Sequence, residues 1–117
     1  MNSGEAAGIH MSPTTNALFK TLADPTRRAL FERLSRDGEQ TVRALTDHSG
    51  ISQPAVSKHL GVLKLAGLVC DRREGRETHY SVRPRGLNPL VDWMRHYGVF
   101  CQDRFDRLET LLSGMDT

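Results

Sequence analysis

Residues 41–82 read TVRALTDHSGISQPAVSKHLGVLKLAGLVCDRREGRETHYSV, and the order of patterns in this stretch decides the fold. Thr41 to Asp47 predicts a short helix with Val42 and Leu45 buried. His48-Ser49-Gly50 makes a turn, and Ile51 is an apolar plug between this helix and the next. Ser52 is a good N-cap, because its hydroxyl can accept from an orphan amide of the first turn. From Gln53 to about Ala66, residues Val56, Leu60 and Leu63 fall at i, i+4 and i+7, one buried stripe, and Gly67 ends the helix. Leu68 to Arg73 and Glu77 to Val82 then carry strand character around a tight turn at Glu74-Gly75-Arg76. Two helices joined by a turn and followed by a basic hairpin can lay one helix in a major groove and rest the hairpin on the adjacent backbone.

Working outward, Leu18, Phe19 and Leu22 sit at helical spacing in Thr15–Leu22, which predicts a short first helix. Asp24-Pro25 starts a second one, with Asp as the cap and Pro at a position where its missing amide proton costs nothing. That helix runs to about Arg36 with Ala29, Leu30 and Leu34 facing inward, and Asp37-Gly38 ends it. Pro84, Gly86 and Pro89 break the chain after the hairpin, and a long last helix covers about Asn88 to Ser113. The expected fold is therefore mainly α with a small β-hairpin: four helices, two strands and a fifth helix in a winged helix-turn-helix. One domain is expected over 14–113, with tails at 1–13 and 114–117.

At 117 residues the chain suits one hydrophobic core. Hydrophobic residues make up 38%, modest enough for a partner chain to complete part of the apolar surface. A net charge of +2 does not by itself point to nucleic acid. Its distribution does: Lys58, Lys64, Arg72, Arg73, Arg76, Arg83 and Arg85 fall within 28 residues, opposed by Asp71, Glu74 and Glu77. Two cysteines, Cys70 and Cys101, 31 residues apart and without a CxxC pair, do not suggest a secreted disulfide scaffold. No apolar run approaches the roughly 20 residues that span a bilayer, and MNSGEAAGIHMSP lacks the pattern of a signal peptide. A cytoplasmic protein without a membrane partner is expected.

On the helix from Gln53, positions 54, 57, 58 and 61 follow i, i+3, i+4 and i+7 and share the face opposite the core stripe. Gln53 can pair bidentately with adenine and Lys58 can donate to guanine. Ser57 can reach a base or a phosphate, and Pro54 can pack on a thymine methyl. Ser57 and Gly61 are small enough to let the helix sit close to the groove floor. Ser52 at the helix start and Lys64 near its end extend this expected DNA-binding set. His59 lies at the edge and is expected to reach a phosphate. Arg72, Arg73 and Arg76 surround the hairpin tip, which Gly75 keeps slim, so that it can touch phosphates or enter the minor groove. The hairpin would position the protein, and the helix would carry the sequence preference.

The last helix carries Leu90, Met94, Tyr97, Cys101, Phe105, Leu108 and Leu112 at spacings of 4, 3, 4, 4, 3 and 4. This seam is about 34 Å long at 1.5 Å per residue. A body of about 70 residues cannot cover it, so a second copy of the chain is expected to cover the rest. Two half-sites about one DNA turn apart would then be read together.

These residues resemble the arsenic-repressor (ArsR/SmtB) family of bacterial winged-helix regulators. The matching segments are LFKTLADPTRRALFERL at 18–34, SQPAVSKHLGVLKLAGLV at 52–69 and RREGRETHYSV at 72–82. The resemblance covers about Asn16 to Val82 and implies a symmetric dimer that binds double-stranded operator DNA and represses its own operon until a signal releases it. It also suggests that the first helix, through Leu18 and Leu22, joins the dimer seam.

Many members of that family sense metals, and here the chain departs from the pattern. The thiolate site of the family is a Cys-x-Cys element on the third helix or just before it, where this sequence has TVRALTDHSG. The other common site uses Asp-x-His and a second His about ten residues later on the last helix. This helix offers Asp92, His96, Asp103 and Glu109, with one histidine and the wrong spacing. No metal and no cofactor are expected, and Asp92 with His96 reads as a surface pair. Cys70 and Cys101 are both expected in apolar surroundings, which favours inert thiols. The alternative is a ligand- or redox-responsive derepressor acting through these two cysteines, with an unidentified small-molecule inducer. A protein–protein adaptor that uses the winged helix without operator binding is the reading from another class. There is no nucleophile–base pattern, phosphate-binding glycine loop or paired carboxylate motif, so an enzyme is not expected.

Overall fold

The computed structural model describes residues 13–115, with the side chains at 99–105, 108, 109 and 112–115 outside the description. Helix α1 (Pro13–Ala23) meets α2 (Pro25–Asp37) at Asp24. The Asp24 carboxylate accepts from the Arg27 amide at 2.9 Å, and this hydrogen bond holds its carboxyl below the ordinary range. Arg27 Nε donates to the Thr21 carbonyl at 2.8 Å and Arg28 Nη1 to the Leu22 carbonyl at 2.9 Å. The carbonyls that α1 leaves open at its C-terminus are thus satisfied by the first turn of α2, which fixes the corner. Leu30 and Leu34 are buried, whereas Ala29, expected to face inward, is exposed. Successive helical residues lie about 100° apart, and this core stripe runs through 30 and 34 with Phe31 half-buried beside it.

Strand β1 (Gln40–Thr41) is an element the sequence pattern does not disclose, because two polar residues carry no alternation to read. Thr41 also caps α3 (Val42–Asp47) by accepting from the Ala44 amide at 3.0 Å. Arg33 reaches from α2 to donate to the Ala44 and Leu45 carbonyls at 2.7 and 3.1 Å, so α2 holds the open end of this short helix. Ser52 caps α4 (Gln53–Leu65) by accepting from the Ala55 amide at 3.3 Å. Helices α3 and α4 with the turn between them form the helix-turn-helix.

Strands β2 (Val69–Glu74) and β3 (Glu77–Val82) pair antiparallel from Val69–Val82 to Glu74–Glu77, leaving Gly75-Arg76 as a two-residue loop. Gly75 has φ +63° at the first loop position, the arrangement of a type II′ turn, whose twist matches the flanking strands. Strand β1 joins the other side of β3, with Gln40 opposite Tyr80 and Thr41 opposite His79, so the sheet order is β1-β3-β2. After β3 the chain doubles back over the α4–β2 junction, where a Cβ on Gly86 would lie 2.6 Å from the Gly67 carbonyl oxygen. The backbone crosses itself there too closely for any other residue. Helix α5 (Asn88–Met115) is 28 residues long.

The core is built from Leu18, Leu30, Leu34, Val42, Leu45, Val56, Leu60, Leu63, Leu68, Val69, Tyr80 and Leu90. Val56, Leu60 and Leu63 are fully buried, as the stripe on α4 predicts, and each contributes about 1.5–3 kcal/mol through burial. Two residues expected in a dimer seam belong to this core instead. Leu18 is 0% exposed and Leu90 is 7% exposed, so a partner has almost nothing left to cover on either. Leu22 is partly buried against the same cluster. The cause is the packing of α1 on both α2 and α5, which turns the Leu18 stripe into the protomer.

Candidate nucleic-acid interface

The caps at Ser52 and Thr41 and the stripe on α4 fix which side chains the helix-turn-helix shows to solvent. With Val56, Leu60 and Leu63 inward, Ser52, Gln53, Pro54, Ser57 and Lys58 are all exposed, and Gly61 is half-buried between them. The hairpin tip carries Arg73, Gly75 and Arg76, also exposed. These parts enclose one groove of about 310 Å³ lined by Thr41, Val42, Arg43, Gln53, Ser57, Arg76, Glu77 and Thr78. The start of α3, the start of α4 and the wing thus meet on a single concave surface.

The cations divide into two sets. Arg43, Lys58, Arg73 and Arg76 make no ion pair among the described residues. Lys64 and Arg72, though exposed, are paired with carboxylates of the protein itself. The Lys64 ammonium lies 3.0 Å from one Asp71 carboxylate oxygen, and this partner raises its pKa. The Arg72 guanidinium is pinned on Glu39 and Glu74, which raise its pKa, while both carboxyls are held below their ordinary range by it. His59 is a correction: it does not reach out toward a phosphate but lies half-buried with Nδ1 4.0 Å from an Asp24 carboxylate oxygen. On a helix of 3.6 residues per turn, position 59 falls on the flank that meets the α1–α2 corner.

Arg43 is the cation of the groove lining that sequence reasoning missed, along with the lining residues Thr41, Val42, Glu77 and Thr78. Its signal was available, since burying Val42 and Leu45 places position 43 on the outer side of α3. Cys70 is a second correction. It is exposed on β2 with Sγ 3.3 Å from Ser81 Oγ, not in apolar surroundings, because alternation along the strand puts its neighbours Val69 and Asp71 on the other face. Asp92 faces Arg95 at 3.7 Å, and His96 sets its ring against Tyr97 at a centroid distance of 4.8 Å.

A second surface lies on α1 and α5. The Phe19 and Trp93 rings meet edge to face at 5.1 Å, and the Trp93 ring lies 5.0 Å from that of Tyr97. Phe19, Val91, Met94 and Tyr97 are all exposed, forming an apolar strip across the two helices. Of the expected seam, Met94 and Tyr97 are thus exposed on this strip, and α1 contributes Phe19 to it while Leu18 is buried. Cys101, Phe105, Leu108 and Leu112 of the expected seam have side chains outside the described residues.

A family model described as a helix-turn-helix domain matches residues 22–70. The transcriptional repressor SdpR of Bacillus subtilis is 35% identical over 82 residues, which cover 70% of this chain and 90% of that protein. A probable mercury resistance operon repressor of Streptomyces lividans is 48% identical over 78 residues, and there the chain spans 62% of the relative's length. Among solved structures, the homodimeric winged helix-turn-helix DNA-binding domain of Mb0332 from Mycobacterium bovis, a possible ArsR-family transcriptional regulator, aligns with a TM-score of 0.61. It is 26% identical, over 84% of this chain and 87% of that one. The chain belongs to the ArsR/SmtB family. In this ArsR/SmtB regulator the match over 22–70 takes in the α1–α2 corner, both helices of the helix-turn-helix and the start of the wing. Among its described residues, no helix is long and apolar enough to cross a membrane.

Proposed function

We propose that this ArsR/SmtB regulator is a homodimeric operator-binding repressor that acts in the cytoplasm and is not an enzyme. Helix α4 enters the major groove with Gln53, Pro54, Ser57 and Lys58 toward the bases. Arg43 at the start of α3 and Arg73 and Arg76 on the wing grip the phosphate backbone on either side. The observation that carries this reading is the groove between α3, α4 and the wing, with Arg43 and Arg76 on its lining beside Glu77 and, among the described residues, no ion pair made by either arginine. A protein-binding adaptor has no need for unpaired cations converging on one concave face, whereas a polyanion neutralises them. The homodimer is supported by the Phe19–Trp93–Tyr97 strip and by the homodimeric state of the Mycobacterium bovis relative.

Two substitutions separate positioning from reading. Arg76→Ala is expected to weaken binding to every duplex alike and to lower the log–log salt slope by about two per dimer, one phosphate being lost on each half-site. An unchanged slope removes the wing from the interface. Gln53→Ala is expected to relax the preference at one position of each half-site, at about 1–3 kcal/mol against the preferred base. Uniform weakening across sequences, measured on a panel of single-base operator variants, contradicts a base-reading role for Gln53.

A further inference from the structure

We propose that Glu39 and Arg72 form a clamp that sets the attitude of the wing, which makes Glu39 a positioning residue for DNA binding. This rests on the operator-binding reading above. Arg72 Nε donates to Glu39 Oε2 at 3.0 Å and Nη2 donates to Glu39 Oε1 at 2.8 Å, a two-pronged contact between residues 33 positions apart. Nη1 of the same guanidinium donates to Glu74 on its own strand. Each nitrogen of Arg72 is therefore committed to a carboxylate, and the cluster of one arginine and two glutamates is net negative. It repels a phosphate rather than receiving one.

The position of the clamp gives it leverage over the tip. Thr41, His79 and Arg72 are in register across the three strands, and Glu39, just before β1, meets Arg72 and His79 from that edge. Arg72 thus spans the sheet from β2 to the far edge, passing His79, whose Nδ1 lies 3.8 Å from Glu39 Oε1. The pairing of β1 with β3 stops at Thr41–His79, so Arg73 to Thr78 project beyond the three-stranded part as a bare two-stranded ribbon. Such ribbons twist and swing freely unless something fixes them. The Glu39–Arg72 strap sits where the ribbon emerges and ties it to the segment between α2 and α3. It therefore holds Arg73 and Arg76 at a fixed height over the groove whose other wall is Gln53 and Ser57.

An exposed ion pair adds little to stability, so a structural role alone leaves thermal unfolding and binding nearly unmoved. Simple electrostatics makes the opposite forecast for binding. Removing a carboxylate near a DNA surface, and freeing Arg72, should tighten it. Glu39→Ala therefore decides by sign. In fluorescence anisotropy with an operator duplex at several salt concentrations, the clamp requires Glu39→Ala to weaken binding about tenfold and to flatten the salt slope by about one or more. Its thermal midpoint should match that of the wild type. Arg72→Ala should show the same loss, the Glu39→Ala/Arg72→Ala double variant should be no weaker than either, and Glu39→Gln, which keeps one acceptor, should fall between. Equal or tighter binding by Glu39→Ala, beside a salt-sensitive wild type, overturns the clamp alone. A wild type whose binding is insensitive to salt overturns the operator reading, and the clamp with it.

Discussion

Met94→Glu is expected to split the dimer into folded monomers and to cut operator affinity at least a hundredfold. Met94 is 52% exposed in the protomer, so the charge costs a single chain almost nothing. In the dimer the same carboxylate would be buried beside Trp93, Tyr97 and the second copy of this strip without a counter-ion, at a cost of several kcal/mol. A monomer reads one half-site and keeps half of the phosphate contacts, so the salt slope should also fall by about half. Sedimentation velocity with circular dichroism measures the first part and anisotropy the second. A Met94→Glu protein that remains dimeric would place the two-fold axis somewhere other than the Phe19–Trp93–Tyr97 strip.

Leu60→Ala is expected to destabilise the fold by about 2–5 kcal/mol, the cost of removing a fully buried leucine and leaving a cavity. Leu60 sits on the inner face of α4 at 0% exposure, packed among Val56, Leu63 and the rest of the core. For a domain of this size each kcal/mol lowers the melting temperature by roughly 4–8 °C, so the reading helix is lost at temperatures where the wild type is folded. The control lies five residues along the same helix. Leu65 is 91% exposed, and Leu65→Ala should change stability by less than about 0.5 kcal/mol. Comparable losses from the two substitutions would mean that α4 is rotated from the orientation that presents Gln53, Ser57 and Lys58.

Which parts of this molecule could be read from its residues follows from how far apart the cooperating groups lie. The α4 stripe, the caps at Asp24 and Ser52 and the hairpin are local patterns that repeat within one or two turns, and each is where the periodicity put it. Strand β1 escaped because its two residues form a strand solely through β3, about 40 positions downstream. Leu18 and Phe19 show the same limit. Both are apolar, both fit a helical seam, and which one faces the protomer is settled by how α1 lies on α2 and α5. Arg72 and Arg76 are alike in sequence terms, four positions apart on one basic hairpin. They differ because Glu39, distant in the chain, comes to lie across the sheet from the first, and among the described residues the second makes no ion pair. His59 turned out to face Asp24 for a related reason, since the α1–α2 corner docks on that flank of α4. Arg43 needed no such distant information.

If the groove between α3, α4 and the wing grips operator DNA as proposed, fluorescence anisotropy will show it with a duplex from upstream of the protein's own gene, against a scrambled duplex, at 50 and 200 mM salt. About six phosphate contacts per dimer should weaken binding roughly a thousandfold between the two concentrations. The upstream duplex should be preferred at both. Weak, equal binding to the two duplexes, little changed by salt, would contradict the account.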